Sequence, residues 1–175
     1  MARTIAIAVI LSTLVGVNYQ IWHKESILKH GERVYVQLAP LDPRSLIQGD
    51  YMALNYRLPS DILKLSDQMA RKGYLVGELN DRHVLEIKSI FKDGQSLAPN
   101  QRKILYRIRG GRFRSSRILI GSPSYFFQEG QGKFFDHAKY GELRIDKNGQ
   151  SILVGLRDKD FVLLGPKVKQ VPAGK

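Results

Sequence analysis

The chain contains no cysteine, which excludes disulfide cross-links, thiol catalysis and cysteine-ligated zinc or iron–sulfur centres. Histidine is sparse as well: His23, His30, His83 and His137 are scattered, with none at metal-ligand spacing. No glycine-rich phosphate loop is present, because Gly110-Gly111 lacks the strand–helix context such a loop needs. Neither a repeat nor a low-complexity tract occurs. These absences lead us to expect no cofactor and no metal. Acidic residues are few, 16 against 28 lysines and arginines, for a net charge of +12. What is present suits a folded protein. Hydrophobic residues make up 43% and charged residues 25%, a balance that rules out a disordered chain. The 175 residues, less an N-terminal segment, leave one domain of about 150 residues, large enough for a core.

The N-terminal segment carries the clearest physical signal. After Arg3, residues 4–22 carry no charge, and His23 and Lys24 close the run. That is close to the roughly 20 residues a helix needs to cross a bilayer. Tyr19 and Trp22 stand where an interfacial aromatic belt belongs. A cleaved signal peptide is the competing reading, but no Ala-x-Ala-like site follows the run, which favours an uncleaved signal-anchor. Orientation is contested by the charges. Lys24, Lys29 and Arg33 beyond the run would hold the domain in the cytosol by a strict count, yet long C-terminal domains are exported largely regardless of charge. We expect export.

The remainder reads mainly as antiparallel strands. Residues 33–39 alternate and end at Pro40, and a second strand spans 52–56 before Pro59. A helix is predicted from Ser60, with Ile62, Leu63, Leu65 and Met69 near one face and Gly73 as its stop. Hairpins are predicted for 74–79 with 83–91, for 103–109 with 112–120 across Gly110-Gly111, and for 141–146 with 150–156 across Asn148-Gly149. Residues 160–164 are a candidate last strand. The expected fold class is therefore α+β: a predominantly antiparallel β domain with one short helix, preceded by a single N-terminal transmembrane helix. The anchor occupies 4–22, the β-rich domain 31–165 and a flexible tail 166–175.

The densest local chemistry lies at 41–56. Pro43 makes Asp42-Pro43-Arg44 a turn, and Gly49-Asp50 makes another. In the strand that follows, Met52, Leu54 and Tyr56 share one face, the better core face. Asp42, Arg44 and Asp50 either line a ligand or partner site or satisfy turn amides and one another. Gly49, Asp50, Tyr51, Leu54 and Tyr56 fill every specified position of the motif that names the GDYXXLXY proteins, and the chain resembles that family. Tyr125-Phe126-Phe127-Gln128-Glu129-Gly130 resembles the family's Tyr-Phe-x-x-Glu-Gly segment, and 141–149 resembles its C-terminal hairpin. Ser45 departs from the pattern, standing where an acidic residue is common. The resemblance implies a membrane-anchored bacterial protein with no established activity, an exported domain at the inner membrane, and a polytopic membrane protein as partner. Its candidate ligand or partner residues are Asp42, Arg44, Gly49, Asp50, Tyr51, Tyr56, Tyr125 and Glu129.

Much of the positive charge is local. Arg102, Lys103, Arg107, Arg109, Arg112, Arg114 and Arg117 lie in a stretch with no acid, interleaved with Tyr106 and Phe113. Such a pattern suits nucleic acid in principle, but no recognition motif accompanies it and an export anchor argues against it. Anionic lipid or an acidic membrane partner fits better, with a solvated hairpin face as the bland alternative. Two function classes stay open. The first is a non-enzymatic accessory or binding subunit of an envelope complex. The second is an envelope hydrolase or ligand-binding enzyme built around Asp42, Arg44, Asp50 and Glu129. A serine–lysine hydrolase would use Ser45 with Lys64 or Lys88 as base, but the residues after Ser45 lack the usual pattern.

Overall fold

An apolar segment can satisfy its backbone only within itself once water is gone. In the computed structural model, which describes residues 2–39, 51–110 and 117–166, the N-terminal segment forms one continuous helix, α1 (Ala2–His30). Its large apolar side chains from Ile5 to Trp22 all stand exposed. Residues Thr4–His30 are long and apolar enough to cross a membrane. Hydroxyls and an amide inside the run bond back to the helix: Ser12 Oγ and Thr13 Oγ1 donate to the Val9 carbonyl, and Asn18 Nδ2 donates to that of Leu14. The helix outruns the expected 4–22 segment by two polar turns. Ile27 on these turns is only 4% exposed, so the end of α1 packs against the domain.

One residue separates α1 from the first strand, β1 (Glu32–Gln37). That residue is Gly31. Its N–H donates to the Ile27 carbonyl at 2.8 Å, and its carbonyl accepts from Arg144 Nη1 at 3.0 Å. A side chain there would stand 3.2 Å from both Arg144 Cβ and the Ile145 carbonyl oxygen, which is why glycine occupies the junction.

The strands after β1 are β2 (Tyr51–Ala53), β3 (Lys72–Leu79), β4 (Leu85–Ile90), β5 (Gln101–Arg109), β6 (Arg117–Ile120), β7 (Ser124–Phe126), β8 (Tyr140–Ile145) and β9 (Ser151–Arg157). They form a three-stranded sheet β1-β8-β9, a four-stranded sheet β4-β3-β5-β6 and a two-stranded ribbon β2-β7. Every ladder between these strands is antiparallel. The two larger sheets touch through a parallel bridge between Tyr35 and Val84. Apolar residues at alternate positions, among them Val34, Val36, Ile104, Ile120 and Leu143, turn inward from both sheets into one core. Among the described residues the domain holds one short α-helix besides a 3-10 turn at Gly132–Phe135, and the fold is the expected α+β class.

The tightest turns follow their sequence signals. At Asn148-Gly149 the Asp146 carboxylate accepts from the amides of Asn148 and Gln150 at 2.9 and 2.8 Å, and Gly149 takes a φ of +81°. The helix prediction needs correcting. The observed helix, α2 (Ser60–Lys64), is five residues long, starts after Pro59 as its cap, and gains no cap hydrogen bond from Ser60. Only Ile62 is buried on it, while Leu63 and Leu65 are 49% and 42% exposed. Gly73 belongs to β3 instead of ending the helix. A Cβ there would lie 2.7 Å from Tyr106 Oη, so the glycine makes room for a buried ring. The candidate strand at 160–164 reduces to one bridge, Leu163 with Arg157. Pro43, the turn around it, residues 111–116 of the Gly110-Gly111 hairpin and the tail beyond 166 lie outside the described residues.

Candidate functional site

Of the expected ligand or partner residues, Asp42, Arg44, Gly49 and Asp50 lie outside the described residues, as does Ser45. Tyr51, Tyr56, Tyr125 and Glu129 are described, and the ribbon joins two of them, Tyr51 and Tyr125. Tyr51 pairs with Phe126 and Met52 with Tyr125, so two distant sequence segments meet side by side. Alternation then sorts their side chains. Met52, Leu54 and Tyr56 point into the core at 2%, 2% and 8% exposure. The Tyr56 hydroxyl donates to the Ser122 carbonyl at 3.4 Å, and burial pushes its pKa well up. Tyr56 is thus placed in the core. Tyr125, half-buried, meets Phe135 edge-on at 5.1 Å, and burial raises its pKa also. On the opposite face Tyr51 and the largely exposed Phe126 form a ring pair 5.9 Å apart. Glu129 is exposed on the turn before Gly130.

The strand period also divides the basic stretch. Arg102 falls on the same side of β5 as the buried Ile104 and Tyr106, at the strand's end. Its Nε and Nη2 donate to the Glu32 carboxylate at 2.5 and 3.0 Å, which raises its pKa further. This residue ties β5 to the start of β1 and leaves the patch. Lys103, Arg107 and Arg109 share the other face. Lys103 Nζ lies 5.2 Å from the Tyr74 ring centroid and 5.8 Å from that of Phe91. Arg109 stands directly opposite Arg117 in the β5–β6 register, two like charges side by side, an arrangement that costs stability without a counter-anion. Arg112 and Arg114 lie outside the described residues.

A pocket that sequence reasoning missed lies at the seam between the two larger sheets. Its volume is about 570 Å³, and its walls include Gln37, Arg57, Arg82, Lys88, Tyr140 and Phe161. Arg57 directly follows the core residue Tyr56, and its amide donates to the Gln37 carbonyl at 2.8 Å. Phe161 stacks on Tyr140 at 4.6 Å and meets Tyr35 at 4.9 Å, with the Arg82 guanidinium 4.6 Å over its ring. The Phe161 carbonyl accepts from Arg157 Nη1 at 2.6 Å, while Arg157 Nε donates to the buried Glu142 carboxylate at 2.6 Å. Arg33 reaches the same carboxylate at 3.5 Å. No periodicity or motif announces this cluster. Its members come from five separated stretches of the chain, and only the fold assembles them.

Of the two candidate bases of the serine–lysine reading, Lys88 is poorly placed for the role. Lys88 pairs with Glu86 at 2.9 Å, and that hydrogen bond raises its pKa, the wrong direction for a general base. Among the described residues, no group of three or more histidine and acidic side chains is placed to hold a metal.

A family model described as GDYXXLXY protein matches residues 13–156, most of the chain. No curated protein and no solved structure matches it.

Proposed function

The chain belongs to the GDYXXLXY family, and from that premise we propose that it is a membrane-anchored accessory subunit of a bacterial envelope complex. In this reading the β-rich domain is exported, and a polytopic inner-membrane protein is the partner. The observation that carries the proposal is α1 itself. Ala8, Ser12 and Gly16 recur every fourth residue, which lines them along one face, and nothing lies within 4 Å of where a Gly16 side chain would be. Small residues in that spacing let another helix approach closely within a bilayer, where hydrophobicity alone drives no association. The single-residue junction at Gly31 supports the same reading. It joins intramembrane helix to exported domain without slack, so a partner that grips α1 also positions the domain. The exposed Tyr51–Phe126 pair and the cations Lys103, Arg107, Arg109 and Arg117 offer surfaces to that partner or to anionic lipid.

Two measurements on cells test this. Because the native chain has no cysteine, Ser151→Cys gives one label site at the start of β9. A membrane-impermeant maleimide should label it with the inner membrane intact, and labelling only after lysis would overturn export. The double variant Ser12→Leu/Gly16→Leu should lose its co-purifying polytopic protein while the domain's melting temperature holds. Retention of that partner would sink the helix-contact reading.

A further inference from the structure

The seam pocket has a chemistry that the accessory role does not use. We propose that it binds a small organic anion, a phosphate monoester or a dicarboxylate, gripped by Arg57 and Arg82. The proposal goes beyond the accessory reading and stands or falls separately from it.

Charge is the first argument. Arg57, Arg82 and Lys88 line the pocket against Glu86 alone, and Glu86 is taken by Lys88. Among the described residues neither Arg57 nor Arg82 has a carboxylate partner; Arg57 Nη1 donates to Gln37 Oε1 at 3.3 Å, and Arg82 lies over Phe161. Two guanidinium forks with free donors present the geometry that planar oxyanions match. Size is the second argument. About 570 Å³ lies within the range of small-molecule sites and far exceeds one inorganic phosphate, so an organic body is accommodated beside the acidic group.

The third argument is how firmly the walls are held. His83 and Phe161 take φ values of +57° and +63°, a left-handed conformation that a bulky side chain enters only when its surroundings force it. Both sit on loops at this pocket. In the first, Asn80 Oδ1 accepts from the amides of Arg82 and Val84 at 3.0 Å each, which fixes the backbone that carries Arg82. In the second, Asp158 Oδ1 accepts from the amides of Asp160 and Val162 at 2.9 Å each, and Arg157 clamps the Phe161 carbonyl. Arg57 is held in turn by Tyr56, whose ring is buried in the core. The arginines are thus mounted on constrained backbone, which lowers the ordering cost of binding. A ligand here touches both sheets at once, through Gln37 and Tyr140 on one side and Val84 to Lys88 on the other.

The test is calorimetric titration of the full chain in a non-ionic detergent with glycerol 3-phosphate, succinate and inorganic phosphate, each at two salt concentrations. At least one organic anion should bind saturably, and more weakly at higher salt. Arg57→Gln and Arg82→Gln are surface changes that should each weaken binding about ten-fold or more, the loss of one charge-assisted contact, with the melting temperature unchanged. Lys103→Gln, a half-buried cation outside the pocket, should leave binding unaltered. The proposal is overturned if neither organic anion saturates below 10 mM, if Lys103→Gln weakens binding as much as Arg82→Gln, or if inorganic phosphate binds as tightly as both organic probes.

Discussion

The buried carboxylate of Glu142 is the most exacting place to test the packing described above. Glu142 is 4% exposed and accepts from Arg157 at 2.6 Å and from Arg33 at 3.5 Å. Glu142→Gln keeps the shape but turns the site from anion to amide, leaving the Arg157 guanidinium without its counter-charge. Removing one partner of a fully buried pair costs about 3–5 kcal/mol. Here water recovers part of that, because the side chains of Arg157 and Arg33 retain 19% and 52% of their exposure. The expected loss is therefore about 2–3 kcal/mol. At roughly 2–4 °C per kcal/mol for a chain of this size, the melting temperature should fall by about 4–12 °C. The assay is thermal unfolding of the full chain in detergent by near-ultraviolet circular dichroism, which follows the domain's aromatic packing and not the helicity of α1. Arg157 also holds the Phe161 carbonyl, so the signal of the Tyr35–Tyr140–Phe161 cluster should weaken in the variant before unfolding begins. Glu142→Gln and Arg157→Met should be strongly non-additive, since removing both charges strands neither. A shift under about 1 °C, or additive effects of the pair, would refute the reasoning.

Two further outcomes follow from named atoms. Burial raises the Tyr56 pKa, so above about pH 10 the unfolded chain releases a proton that the folded state still holds. Stability from this residue is intact below that pH and falls as pH rises, by up to about 1.4 kcal/mol per unit, so Tyr56→Phe should flatten the alkaline limb of a stability–pH curve by that much; an unchanged slope would show that Tyr56 titrates normally. Gly149→Ala combines a φ of +81° with a Cβ only 2.9 Å from the Lys103 carbonyl oxygen, and equilibrium unfolding should show a loss above about 1 kcal/mol, whereas a neutral result would mean that the turn relaxes at no cost.

How much of this was legible beforehand depended on the range of the forces involved. The uncharged run at 4–22, the alternation of Val34 and Val36, and the Asn148-Gly149 turn are local, and each produced the element its residues predicted. The face of Met52, Leu54 and Tyr56 was legible for the same reason, since period two fixes sides once a strand exists. Short-range signals failed where a tertiary contact outweighed them. Gly73 resembles a helix stop, but the Tyr106 ring requires a glycine in β3 at that point. The basic stretch resembles one surface, but β5 turns Arg102 to the other side and Glu32 claims it.

The sequence by itself thus determined the long apolar N-terminal helix, the β-rich class, the Asn148-Gly149 turn and the family, because hydrophobic period and turn chemistry act over a few residues. Only the tertiary structure decided that the segments of Tyr51 and Tyr125 form one ribbon. It alone placed Arg57, Arg82, Tyr140 and Phe161 around one pocket. Those placements come from strand pairing and side-chain packing between residues far apart in the chain, and no local pattern encodes which distant partner a strand will choose.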